Sequence, residues 1–391
     1  MYNSFSSWPN FTAKEAEAVS KVLLSNKVNY WTGEEGRKFE SEFSQWLGCK
    51  YSIALANGTV AIELALKALN IGAGDEVITT PRSFFATASS IVAVGATPIF
   101  ADVDLNTQNI TAESIKKVLT RKTRAVIVVH LAGLPADMAP IMSLKSQYGF
   151  KIIEDCAQAH GAKYRGVSVG TIGDIGAWSF CQDKIITTGG EGGMVTTNDH
   201  DLWLKMWAYK DHGKCFDAVY NKEHMPGFRW LHKSFGTNFR MTEMQAAIGR
   251  IQLTLVDNWV RKRQKNATLI TEAIKKIPCV RLLKGNKEIV NAYYKYYFFI
   301  NREKLKNNWS RNKIISEIIS RGVPAYHGTC GEIYLEEAFD KTSFSPKTPC
   351  INSIELSETS VLLLVHPSLT IKEINTTISV ITEVLCEASV T

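Results

Sequence analysis

The stretch Lys151–Gly193, KIIEDCAQAHGAKYRGVSVGTIGDIGAWSFCQDKIITTGGEGG, decides how the rest of the chain is read. It opens on a short apolar run, Ile152 and Ile153, that stops at Glu154 and Asp155. A buried strand ending in a carboxylate places that group at its C-terminal end, where open α/β sheets keep their ligands. A second apolar run, Ile175 to Phe180, stops just before Lys184. The glycines that follow let the backbone turn tightly and come close to a ligand. An acid and a lysine on neighbouring strand ends then face each other across one pocket.

Pyridoxal phosphate requires such a pair. It is held as a Schiff base on a lysine, while an aspartate partners its pyridine nitrogen. The elements EDCAQAHGA, VG-x-x-GD, WSF and K-x-x-TTG-EGG together closely resemble the DegT/DnrJ/EryC1/StrS family of sugar aminotransferases. That resemblance implies aminotransferase fold type I: a mainly parallel seven-stranded α/β sheet with helices on both faces, plus a smaller α+β C-terminal domain. It also assigns roles. Lys184 would carry the cofactor and act as the catalytic proton carrier. Asp155 would pair the ring nitrogen, Gln158 the ring hydroxyl, and Ser179 the phosphate. One departure stands out, TTGGEGG where the family often has TTGEGG. The extra glycine follows the lysine, so it bears on loop shape rather than on chemistry.

Working outward, Asn57-Gly58-Thr59 precedes the helix-periodic VAIELALKAL. A Gly-Thr step at a helix start offers free N–H groups, a hydroxyl and the positive end of the helix dipole, a ready phosphate site. The same tripeptide also serves as an ordinary helix cap. The family binds the cofactor phosphate with this element, which assigns Gly58 and Thr59. In PRSFFATAS the resemblance puts an aromatic ring over the cofactor at Phe84, with Phe85 the alternative by a one-residue slip. His130 ends the run VVH and reads as a hydrogen-bonded histidine beneath the cofactor. The glycines at 170, 173 and 176 lack dinucleotide-site spacing, and no βαβ start precedes them.

The order FGTNFRMTEMQAAIG is a further match to the family. There the asparagine, here Asn238, touches the neighbouring subunit's cofactor phosphate, implying a homodimer with shared active sites. Its alternative is an N-cap for the helix expected from Met241 onward. That helix is read as one long element, with RKRQK at 261–265 on a solvated face. Trp31 and Thr32, at an early turn, are substrate-side candidates, although packing is an equal reading for Trp31. Tyr326 and His327 in PAYHGT are candidates on the C-terminal side.

Strand-like runs at 51–55, 76–80, 97–101 and 125–130, with helical patterns between them, argue for alternating strands and helices through residue 200. At 391 residues the chain exceeds one ordinary core, and the expected division is 1–255, the cofactor-binding domain, and 256–391, the small domain. The net charge of +7 is spread out, with no motif for nucleic acid. The eight cysteines form no C-x-x-C pair, so no metal site is expected. There is no signal pattern and no membrane span, which leaves the cytoplasm as the default.

By resemblance the reaction is amino transfer, with L-glutamate becoming 2-oxoglutarate, onto a nucleotide-linked keto-sugar for surface-glycan synthesis. The first candidate acceptor is a UDP-linked 2-acetamido-4-keto-2,6-dideoxy hexose. Alternatives are dTDP- or GDP-4-keto-6-deoxy hexoses and 3-keto sugars. A sugar dehydratase of this family would carry histidine in place of Lys184. A non-catalytic regulator would not need Lys184, Asp155 and Gln158 together.

Overall fold

The computed structural model describes residues 5–223, 229–284 and 288–390. Seven strands form the main sheet: β1 Tyr51–Leu55, β2 Glu76–Thr79, β3 Thr97–Phe100, β4 Thr123–Val129, β5 Lys151–Asp155, β6 Ile175–Ser179 and β7 Gly193–Thr197. Their order is β1-β7-β6-β5-β4-β2-β3. All neighbours are parallel except those of β7, which runs antiparallel to both β1 and β6.

Parallel strands covered on both faces read as unbroken apolar runs, and alternate residues feed different cores. Ala125, Ile127 and Ile153 pack toward the helices Gly58–Ala68 and His200–Lys210. Val126, Val128 and Ile152 pack toward the helix Met138–Tyr148. On that second side Trp178 and Met194 meet the helices Glu35–Leu47 and Glu243–Leu253.

The expected alternation of strand and helix stops at β5. The β5–β6 connection holds a short hairpin, Lys163–Tyr164 with Val167–Ser168, extended by Ile289–Val290. Glu154 explains how this connection is held without a helix. Its carboxylate accepts the N–H groups of Gly170 (2.9 Å), Ile172 (2.8 Å) and Gly173 (2.7 Å). The three glycines are therefore packing devices. Gly170 has φ +78°, and a Cβ there would lie 2.3 Å from the Trp178 ring. Gly170→Ala is expected to cost about 2–4 kcal/mol through left-handed strain and overpacking. A drop in the melting temperature of the cofactor-free protein measures it, and an unchanged melt would refute it.

The expected long helix from Met241 is two, Glu243–Leu253 and Val256–Ile274, broken at Thr254-Leu255. Thr242 caps the first of them, so Asn238 is not its N-cap. The second helix joins two cores. Val256 and Val260 belong to the core under the main sheet, whereas Ala267, Ile270 and Ile274 belong to the C-terminal core. Arg263 in RKRQK is buried, not solvated. It donates to the carbonyls of Tyr294 (3.0 Å) and Tyr293 (3.4 Å). The C-terminal core includes an antiparallel sheet in the order Val280–Leu282, Tyr296–Ile300, Ser360–Leu363, Ala325–Tyr326. The strand Tyr296–Ile300 is preceded by Tyr293 at φ +49°, a left-handed step outside the strand.

Candidate active site

Asp155, the last residue of β5, lies beside Ala177 of β6 in the sheet register. It is buried and accepts the Thr87 hydroxyl (2.9 Å) and the Ala157 N–H (3.1 Å). Burial pushes its carboxyl above the usual range, against those two hydrogen bonds and the charge of Lys184. A carboxylate so enclosed calls for a cationic partner. Behind it, His130 accepts the Ala136 N–H on Nδ1 (3.1 Å), which leaves Nε2 to donate to Glu154 (3.0 Å). That pair anchors the end of β4 to β5.

The helix Gly58–Ala68 begins at the cavity edge. Asn57 caps it by accepting the Val60 N–H (3.0 Å), so the Gly58 and Thr59 N–H groups are left for a ligand. A Cβ at Gly58 would stand 2.6 Å from the Cβ of Ser179, so glycine is what lets this helix start abut β6. Phe84 is exposed along the cavity, while Phe85 turns away and meets Phe339 edge-on at 5.9 Å. Of the two, Phe84 is the one that lines the cavity. The Gln158 side-chain oxygen accepts the Ala132 N–H (2.8 Å), which presents its NH2 as the remaining donor.

Lys184 sits in the turn after β6, held at both ends of its backbone. Its N–H donates to the Cys181 carbonyl (3.1 Å), and its carbonyl accepts the indole N–H of Trp8 (2.8 Å). Trp8 rests edge-on against Trp259 at 5.0 Å. The following loop turns through Gly189 (φ +86°) and Gly190 (φ +124°), so the added glycine is used for a left-handed step. The Lys184 ammonium is 4.9 Å from the Tyr294 ring centroid. Tyr294 donates its hydroxyl to Asp183, which also lies 3.6 Å from Lys295. Burial works to raise the Asp183 carboxyl, but Lys184, Tyr294 and Lys295 outweigh it and hold it below its ordinary range.

These groups share one cavity of about 1010 Å³. It brings together Gly58, Thr59, Phe84, Asp155, Gln158, Ser179, Lys184 and Tyr326. It also includes Ser83, Thr87, Asp183, Tyr294, Lys295 and Tyr297, none of which was assigned a role from the sequence. Trp31, Thr32, His327 and Asn238 do not line it. Trp31 packs edge-on against Trp207 at 6.1 Å with Lys214 over its ring, a packing role. Thr32 and His327 are exposed. Asn238 is exposed too and accepts the Arg240 N–H (3.2 Å).

The model of the DegT/DnrJ/EryC1/StrS aminotransferase family matches residues 9–382. The chain belongs to that family. This aminotransferase is similar in structure to an aminotransferase from Psychrobacter cryohalolentis, with TM-score 0.97 and 55% identity over 98% of this chain and 99% of that one. It is 38% identical over 308 residues to a GDP-perosamine synthase of Escherichia coli O157:H7, covering 77% of this chain and 80% of the relative. It is also 42% identical over 234 residues to a UDP-N-acetyl-3-dehydro-alpha-D-glucosamine 3-aminotransferase of Acidithiobacillus ferrooxidans, covering 60% of each.

Aminotransferases of this family depend on pyridoxal 5'-phosphate, and so does this one. The residues fit the cofactor. The Gly58–Ser179 contact leaves an open helix start for a phosphate. At the other end the buried Asp155 carboxylate can meet a pyridinium, with Lys184 in the same cavity. No helix among the described residues is long and apolar enough to cross a membrane.

Proposed function

We propose that this aminotransferase moves the amino group of L-glutamate to C4 of a UDP-linked 2-acetamido-4-keto-2,6-dideoxy hexose, for the synthesis of a bacterial surface glycan. One observation carries the chemistry: Lys184 and Asp155 enter a single cavity from neighbouring strand ends. The cavity's remaining wall, with Tyr297, Tyr326 and Thr329 from the C-terminal side, provides room and polar contacts for a sugar. The nucleotide-sugar names of the two relatives above support this substrate class.

When bound, the cofactor supplies an electron sink for charge developing on the amino-bearing carbon. The protein does the rest. The Gly58 and Thr59 N–H groups and the Ser179 hydroxyl would hold the phosphate. Phe84 would lie against the ring, and Gln158 would donate to the ring oxygen. Asp155 would keep the ring nitrogen cationic. The Lys184 amine carries a proton from the donor carbon and returns one to the acceptor, the general acid–base step.

The reading includes a homodimer in which Asn238 serves the neighbour's phosphate site. An exposed Asn238 outside its own cavity is what such a role requires. The test is direct. Purified yellow protein should lose its visible band on adding glutamate, with release of 2-oxoglutarate. A panel of UDP-, dTDP- and GDP-linked keto-sugars should then restore the band, fastest with the UDP 4-keto acetamido sugar. Release of water without amine incorporation, or no response to any donor, would reject the reading.

A further inference from the structure

Among the described residues lining the cavity, two are cations, Lys184 and Lys295. They flank one side chain: Nζ of Lys184 lies 4.9 Å from the Tyr294 ring centroid, and Nζ of Lys295 lies 4.8 Å from it. Tyr294 is fixed between them, its hydroxyl on Asp183 and its carbonyl on the buried Arg263. Lys184 is committed to the covalent chemistry. That leaves Lys295 as the cation beside the reacting nitrogen.

The Lys295 side chain is 19% exposed, so its ammonium remains reachable from the cavity it lines. Its carboxylate neighbour, Asp183, is 3.6 Å away, too long for a hydrogen bond. The better bond to that carboxylate comes from Tyr294. Burial lowers the Lys295 ammonium from its ordinary range; Asp183 opposes this, while Arg263 and Lys184 add to it. A partly buried cation held only by this longer ion pair gains from a second anion.

We infer that Lys295 binds the α-carboxylate of the amino donor. The inference rests on the function proposed above and specifies how its donor is recognised. In an α-amino acid the carboxylate is attached to the same carbon as the reacting amine, so a cation close to Lys184 is where it must go. The diphosphate of a sugar nucleotide cannot take that place, because the sugar ring separates it from the reacting carbon. Lys295 therefore acts in the donor half of the cycle and is largely idle in the acceptor half.

The experiment uses holoenzyme carrying Lys295→Gln or Lys295→Arg. Donor binding is read by titrating the visible band with L-glutamate. A second titration uses 2-methylglutamate, which has no α-proton and so reports binding without turnover. Lys295→Gln should raise both half-saturation concentrations about 20- to 100-fold. Lys295→Arg should stay within about fivefold of wild type, because the charge is kept. Recovery of the visible band with the keto-sugar should change less than threefold in either variant. Wild type should prefer glutamate over 4-aminobutyrate, which lacks an α-carboxylate, and Lys295→Gln should erase most of that preference. If wild type reacts with glutamate and Lys295→Gln binds it within twofold as tightly, the inference fails and the function stands. If wild type is inert toward every L-amino acid, both fail.

Discussion

Lys184→Ala is expected to lower turnover by at least about 10⁴-fold while leaving a folded protein that still binds cofactor. The expected loss is large because, on the reading proposed above, one side chain would serve twice, as the covalent tether and as the proton carrier between carbons. The fold survives because the contacts that shape this turn are made by the Lys184 backbone, to Cys181 and Trp8, and alanine keeps them. On the reading proposed above the cofactor stays, because its phosphate and pyridine ends would be held by Gly58, Thr59, Ser179 and Asp155, which the substitution does not touch. Borohydride reduction followed by mass spectrometry should fix the cofactor on Lys184 in wild type and on no residue in the variant. Full turnover by Lys184→Ala would overturn the assignment.

Asp155→Asn is expected to cut turnover on the order of 10²-fold, the scale of losing one charged hydrogen bond at a buried site. Its effect on stability should have the opposite sign. Burial raises the Asp155 carboxyl above its ordinary value of 3.8. A group raised in this way favours the folded state when protonated. Its contribution is lost as pH climbs from the unfolded value through the raised one. At neutral pH the ionised carboxylate therefore subtracts from the stability of the cofactor-free protein, and asparagine removes that cost while retaining an acceptor for the Thr87 hydroxyl. Cofactor-free Asp155→Asn should melt at or above wild type at pH 7. Adding cofactor should raise the wild-type melting temperature more than that of the variant. A cofactor-free variant that melts clearly below wild type would contradict this account.

What could be read from the chain in advance depended on locality. The ends of β5 and β6 were legible because a strand covered on both faces is a continuous apolar run, and the residue that breaks it marks the pocket. Asp155 closes β5, and Lys184 lies in the turn that follows β6. The helix start at Gly58 was legible from its cap and the 3.6-residue period behind it. Phe84 and Phe85 could not be separated, because two adjacent aromatics fit either side of a helix start and only the distant Phe339 decides between them.

Other features depend on residues far apart in sequence. Tyr294 meets Asp183 across 111 positions, and Trp8 meets Lys184 across 176, so no window of sequence contains either pair. Arg263 sat within a run of basic residues whose other members give no hint of its burial. The break at Thr254-Leu255 has neither glycine nor proline to announce it. The missing β5–β6 helix was replaced by a carboxylate, Glu154, gathering three backbone donors, a tertiary device that periodicity does not see.

The indole N–H of Trp8 donates to the carbonyl of the residue expected to carry the chromophore. An emitter so near an absorber of near-ultraviolet and violet light gives up its excitation without radiating. Trp8 is thus a built-in optical gauge of occupancy. Its fluorescence should dim as the site fills, recover as it empties, and be isolated from the other eight tryptophans by subtracting the spectrum of Trp8→Phe.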